Sequence, residues 1–192
     1  MGDAKLRRLA EQRGEVEHEE VRYERTYLAM RPWLPAAVSD FLDIGCGTGA
    51  IAMWVARHYQ PSVTAHLIDG DTDHPPQAWR TDGVPWRDVR VALQGFAKHC
   101  PCIAVKGWPP DPLLTIPCEL IYSTCSWGHH YPIETYLGLA VRSLAPGGTL
   151  IVDLRVGERA EHGQAVLALH FERIGTIDAP GKKYLRTVWL AR

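Results

Sequence analysis

The spacing of apolar positions changes several times along the chain, and each change predicts an element. Between residues 3 and 30 the apolar residues are intermittent (Leu6, Leu9, Val16, Val21, Leu28, Met30, with Tyr23 and Tyr27) among many charges. That predicts one or two surface helices, broken near Gly14 and ended by Pro32 and Pro35. Residues 38–44 form a compact apolar strand, followed at once by Gly45-Cys46-Gly47-Thr48-Gly49. Residues 50–59 then read as a helix with Ile51, Trp54 and Val55 on one face. Residues 63–68 make a second strand, and residues 70–87, rich in Asp, Pro, Gly and Trp, a loop. Asp88 is placed to cap a helix through Val89, Leu93, Phe96 and Ala97. A third strand at 103–105, a proline-rich loop at 107–117 and a fourth strand at 120–123 follow. Pro132 opens a helix carrying Ile133, Tyr136, Leu137, Ala140, Val141 and Leu144, which Pro146-Gly147-Gly148 breaks. A fifth strand is expected at 149–154, a short helix at 164–170, and a closing pair of strands at 171–177 and 184–191.

Strands alternating with helices imply a parallel sheet covered on both faces. The expected fold is a doubly wound α/β sheet of seven strands, mostly parallel, with the closing pair adding an antiparallel edge strand. The chain of 192 residues suffices for a single domain over 1–192, with a helical cap over 1–36 and the α/β core over 37–192. A net charge of −1 lacks the basic excess of a dedicated nucleic-acid binder. Neither a secretory leader nor a membrane span is visible, and position 6 is Leu rather than the Ser or Thr that completes a myristoylation signal after Met1-Gly2. The expectation is a cytoplasmic protein with no membrane partner. Its five cysteines have no zinc-knuckle spacing and read as reduced, mostly buried thiols. No metal site is expected.

A strand ending in a glycine turn that opens a helix is a site for a polar cofactor, because glycine allows the turn and a close approach to the backbone. Gly45, Gly47 and Ala50 also satisfy the loose dinucleotide fingerprint, so a nicotinamide dinucleotide competes at this step. Asp69, 20 residues after Gly49, suits a ribose in either case. Asp43, two residues before Gly45, and the segment Leu144-Ala145-Pro146-Gly147-Gly148-Thr149 before an apolar strand shift the balance.

With these residues in view, the chain resembles the class I methyltransferases that use S-adenosylmethionine (SAM). FLDIGCGTGA resembles the first motif of that superfamily, HLIDGD the acidic second, ELIYSTCSWG the fourth-strand motif and LAPGGTLIVDLR the fifth. The resemblance implies a Rossmann-like fold, SAM as cofactor, and roles residue by residue. Asp43 would organise the loop and meet the amino group of the methionine part, directly or through water. Gly45, Cys46, Gly47 and Gly49 would contact the cofactor. Asp69 would bind the ribose, with Gly70 and Asp71 beside it. Trp108, expected after the third strand, would border the adenine or pack on prolines. Ser123 would lie near the sulfonium or cap backbone.

Methyl transfer is an in-line displacement that needs alignment and, for a hydroxyl or ammonium acceptor, a base. Ser126-Trp127-Gly128-His129-His130-Tyr131-Pro132 occupies the end of the fourth strand. His129 and His130 are the candidate bases, kept neutral by the following helix N-terminus; capping of the loop is the competing role for either. Trp127 and Tyr131 are expected in the acceptor pocket, and Trp79, Trp86 and Trp108 either stack on the acceptor or pack the loops. The stretch departs from the Asn-Pro-Pro-Tyr type of motif, which speaks against methylation of nucleic-acid bases. Residues 122–136 are similar to sugar O-methyltransferases over a short span. Asp153 is expected to bind backbone or Arg155. The expectation is a small-molecule acceptor methylated on a hydroxyl; methylation of an amine, nucleic acid or protein, and a non-catalytic SAM-binding module, are the alternatives.

Overall fold

A computed structural model describes residues 19–70, 89–179 and 183–192. The expected break near Gly14, the Asp88 cap, Asp71, Trp79 and Trp86 lie outside the described residues, as does nearly all of the loop expected at 70–87. Helix α1 (Glu19–Met30) runs into a single 3-10 turn at Arg31–Trp33. Then follow β1 (Asp40–Ile44), α2 (Ala50–His58), β2 (Thr64–Ile68), α3 (Val89–His99), β3 (Ala104–Trp108), β4 (Cys118–Ser123), α4 (Glu134–Ser143), β5 (Leu144–Arg155), α5 (Glu158–Leu167), β6 (Phe171–Ile177) and β7 (Tyr184–Ala191).

All seven strands lie in one sheet of order β3-β2-β1-β4-β5-β7-β6. Strands β1 to β5 pair in parallel, as the alternation of elements predicts. β7 is antiparallel to both neighbours and sits between β5 and β6, so the outermost strand β6 runs with β5. Phe41, Leu42, Asp43 and Ile44 of the central strand β1 are all buried, because helices cover both faces of a parallel sheet. On one face Phe41, Ala65, Leu67, Leu120 and Tyr122 pack against Met30 of α1, Val55 of α2 and Phe96 of α3. On the other, Leu42, Ile121, Leu150 and Val152 pack against Leu139 of α4 and Leu167 of α5.

The turn after α1 belongs to the sheet. Gly175 follows an irregularity in the β6–β7 register, and a Cβ placed there would stand 2.1 Å from the Trp33 ring. The indole of Trp33 therefore lies directly on the backbone of β6, at the half of the sheet remote from α2 and α3.

Two expectations need correction. The fifth strand begins at Leu144, five residues before the expected start; Leu144 also caps the C-terminus of α4, its N–H donating to Ala140 O. Cys118 pairs with Leu144 and Leu120 with Thr149, so Ala145-Pro146-Gly147-Gly148 is a bulge inside the strand rather than a helix stop. The expected helix at 164–170 lies at Glu158–Leu167. Its buried face is Ala160, Gly163 and Leu167, and a Cβ on Gly163 would meet Leu154 at 3.0 Å; a contact face built from Ala and Gly gives almost no hydrophobic periodicity. Asp153 binds backbone, as expected: Cys125 N–H donates to its Oδ2 at 2.9 Å; its charge partner is not Arg155. The antiparallel register sets it opposite Arg186, whose Nε and NH2 donate to its two carboxylate oxygens at 2.7 and 2.8 Å.

Both members of that ion pair are buried. Deleting one partner of a buried pair leaves an uncompensated charge and costs about 3–5 kcal/mol. Asp153→Ala should lower the unfolding free energy by that amount in urea titrations, and the double change Asp153→Leu/Arg186→Leu by clearly less than the sum of the two singles.

Candidate functional site

In a doubly wound sheet the ligand crevice opens where the strand order reverses, beyond the carboxyl ends of the strands. Here that point lies between β1 and β4. The chain leaves β1 through Gly45 and Cys46, whose N–H groups both donate to Ile68 O at 2.8 and 3.1 Å. This ties the glycine turn to the end of β2. Gly49, at φ +73°, caps α2 and lies against Ala92 of α3. A Cβ on Gly47 would meet nothing within 4 Å. The backbone of the loop is thus open on the side where a ligand would lie.

Two carboxylates frame the loop. Asp69 accepts from Gly47 N at 2.6 Å through Oδ2 and from Gly70 N at 2.7 Å through Oδ1. Each carboxylate oxygen can accept two bonds, so the same group can hold the loop and receive a ribose hydroxyl. Asp43 lies beneath, 2% exposed, and its Oδ1 is buried without a hydrogen-bond partner. Burial, opposed by a hydrogen-bonding influence of Tyr122 and reinforced by Asp69, pushes its carboxyl up to about 8.

The opposite wall comes from the segment after β4. Ser123 is fully buried; its hydroxyl donates to Ile44 O at 2.7 Å and accepts from Trp127 N at 2.9 Å. Both hydrogen-bonding directions are committed to backbone, so of the two roles foreseen for Ser123 the geometry shows the capping one. Ser126 O accepts from the N–H groups of His129, His130 and Tyr131 at 3.1, 2.7 and 3.3 Å. That tight turn lays the Ser126 side chain on the glycine loop, where a Cβ on Gly45 would stand 1.9 Å from Ser126 Oγ. Gly45, Ile68, Asp69, Gly70, Pro110, Ser126, Tyr131 and Tyr136 line the resulting narrow cleft.

The other expected residues distribute as follows. Tyr131 lines the cleft, whereas Trp127 is fully buried and donates through Nε1 to Ile133 O at 2.6 Å, so it supports the wall instead of lining it. Cys46 is a buried thiol pushed well up by burial and by Asp43 and Asp69. Trp108 ends β3 rather than following it, and its indole N–H points back to His66 Nδ1 at 3.2 Å. His129 and His130 stand edge to face at 4.6 Å, outside the residues that line the cleft. His129 also meets Tyr184 of β7, and its Nδ1 is buried without a partner. Its pKa is lowered by burial first and then by Arg155, against Asp153. A neutral imidazole was expected, but not from this cause: α4 starts only at Glu134. Ser126 and Tyr136 were not foreseen in the cleft. Tyr136 read as a core position of α4, and nothing in the sequence marks Ser126. Among the described residues no three His, Cys, Asp or Glu side chains cluster in a way that could hold a metal.

No protein-family model matches the sequence, and no curated protein does. Solved structures do share the architecture. TrmN from Thermus thermophilus superposes with a TM-score of 0.62 at 17% identity, over 88% of this chain and 48% of the other. The magnesium protoporphyrin IX methyltransferase of Synechocystis PCC 6803, solved with bound SAM, gives 0.60 at 14% identity, over 91% and 80%. The fold is that of the class I methyltransferases. The chain spans about half the length of TrmN. The [4+2]-cyclase SpnF has the same architecture, with a TM-score of 0.60 at 20% identity over 84% of this chain and 61% of that one, so the methyltransferase fold by itself does not specify methyl transfer.

The contact between Gly45 and Ser126 makes the geometry of the cleft testable. Gly45→Ala combines a steric clash with a positive φ of +78°, and the conformation alone costs about 1–2 kcal/mol in a residue with a side chain. Thermal denaturation should show a larger loss than that. Adding Ser126→Gly should recover the excess and leave only the conformational part.

Proposed function

We propose that the protein is a SAM-dependent methyltransferase whose acceptor is a small molecule carrying a hydroxyl, a sugar or secondary metabolite. The observation that carries the cofactor reading is the unpartnered Asp43 Oδ1 beneath an open glycine loop. An unpaired buried acceptor costs about 1–3 kcal/mol, and the ammonium of an amino-acid moiety is a donor of the right charge. In this reading Asp43 meets the ammonium, Gly45, Cys46, Gly47 and Gly49 line the methionine part, and Asp69, with Gly70 and Asp71, holds the ribose. Trp108 then supports the adenine side through β3. SAM supplies an electrophilic methyl group on sulfonium.

The chain's own work is orientation and exclusion of water. Ser123 fixes the β1 terminus against the segment that bears Ser126 and Tyr131, so both walls move as one body. Tyr131 and Tyr136 give the acceptor side an aromatic surface with hydroxyls, suited to a ring that bears polar groups. His129 is kept neutral by burial and Arg155 and is the proposed proton acceptor, with His130 beside it; either must turn toward the cleft to act. A second reading, a SAM-binding module or an enzyme of other chemistry, is favoured by the architecture shared with the cyclase.

Calorimetry decides the cofactor. SAM and S-adenosylhomocysteine should bind at micromolar concentrations and NAD should not; binding of NAD alone overturns the reading. Asp69→Ala should weaken both ligands strongly. With a carboxyl held at about 8, Asp43 is largely neutral at pH 6 and ionises as pH rises. Affinity should therefore tighten from pH 6 to 7.5, before the ligand's own amino group titrates near 8, and that rise should vanish in Asp43→Asn. The unfolded chain ionises this group near pH 4, so the cofactor-free protein loses stability as pH climbs from there toward 8.

Turnover tests the acceptor side. With sugars and phenols as acceptors, His129→Ala and His130→Ala should lower kcat by about 10²–10⁴-fold for whichever is the base, with cofactor affinity unchanged. Full activity in both variants removes the histidines from the chemistry.

A further inference from the structure

Asp43 is not the only fully buried polar group beneath the glycine loop without a partner. The parallel register of β1 and β4 pairs Asp43 directly with Tyr122, and register partners in a parallel pair project to the same face. Tyr122 is 0% exposed, and its hydroxyl is likewise buried with no hydrogen-bond partner. Its ring stacks on Phe41, centroids 5.9 Å apart, among the apolar side chains of that core face. Two unpartnered polar groups side by side in such a place are costly unless they serve each other.

We infer that Tyr122 is a positioning residue for cofactor binding: its hydroxyl donates to the Asp43 carboxylate and aims it at the ammonium of the ligand. This rests on the SAM reading above. The physical case is one of solvation. A carboxylate in this core has lost its water, and the phenol is a neutral oxygen donor on the neighbouring strand, paired with it in register. The other titratable groups facing Asp43 are Asp69 at the end of β2 and the Cys46 thiol in the loop. Neither stabilises the charge: Asp69 raises the Asp43 carboxyl, whereas Tyr122 lowers it. In return burial and Asp43 push the Tyr122 phenol well up, so it remains a donor throughout the working range. When the ammonium arrives, Asp43 receives one proton donor from β4 and one from the ligand, and the carboxylate is neutralised in place. Without the hydroxyl the same carboxylate would stay protonated to higher pH and would offer the ammonium a neutral partner.

Tyr122→Phe keeps the ring and its stacking on Phe41 while removing the donor. The measurement is calorimetric titration of the variant and the unaltered protein with S-adenosylhomocysteine and with 5′-methylthioadenosine, which lacks the amino-acid moiety, from pH 6 to 7.5. The expected result is a loss of about tenfold in S-adenosylhomocysteine affinity at pH 7, one pH unit of displacement in the binding profile, with 5′-methylthioadenosine unaffected. In an Asp43→Asn background the same change should do nothing further. Equal losses for both ligands would mean that Tyr122 serves packing alone, and no loss for either would also overturn the inference. In the unaltered protein a slowly exchanging downfield hydroxyl proton should appear in NMR spectra on addition of S-adenosylhomocysteine; its absence counts against the inference even if the variant fails to fold. Failure of the unaltered protein to bind either nucleoside is a different result, since it removes the SAM reading itself.

Discussion

The Ser123 hydroxyl bridges Ile44 O at 2.7 Å and Trp127 N at 2.9 Å, and the cleft depends on that bridge. β1 and β4 diverge at this point, one chain turning into the glycine loop and the other into the Ser126–Tyr131 turn. A parallel ladder cannot supply the bond, because its pairing ends where the strands end. A side chain that both donates and accepts is required, and a hydroxyl is the smallest group that does so. With the bridge in place Ser126 comes down on Gly45, where any Cβ would collide. The glycine at that position is thus as much a consequence of the facing wall as of the turn.

Charge is arranged less favourably than packing. Asp43 and Asp69 flank one loop, and Asp69 adds to the cost of ionising Asp43 that burial has already imposed. Two strands away on β5, Asp153 is neutralised by a bidentate arginine. The contrast separates a carboxylate that serves the fold from one left without a counter-charge. Groups of the second kind cluster where ligands bind.

Much of this was legible in the chain. The order of elements, the parallel sheet, the glycine turn and the pairing of β6 with β7 all follow from hydrophobic rhythm and turn residues. The misreadings have physical causes. Small residues make the buried face of α5, so the helix carries no periodic signal. The Pro-Gly-Gly segment looks like a helix stop and is a bulge, because both need the same permissive backbone. Asp153 takes its expected backbone bond and sits nearer Arg155 in sequence, but the antiparallel register delivers Arg186 as its charge partner. The position of Ser126 over Gly45, the spent hydroxyl of Ser123 and the pairing of Asp43 with Tyr122 are long-range coincidences that local pattern does not encode. His129 and His130 are adjacent in the sequence, yet His129 packs on Tyr184 of β7 and neither lines the cleft.

The insertion of β7 between β5 and β6 imposes an order of events on synthesis. β6 leaves the ribosome first but has no place in the sheet until β7 arrives to join it to β5. Until then the outer edge of β5, an apolar strand, offers unpaired backbone groups of the kind that recruit foreign strands. The residues that line the cleft all precede β6 in the chain, whereas the charge partner of buried Asp153 arrives only with β7, so protection of that edge is a task for whatever the chain meets during those seconds.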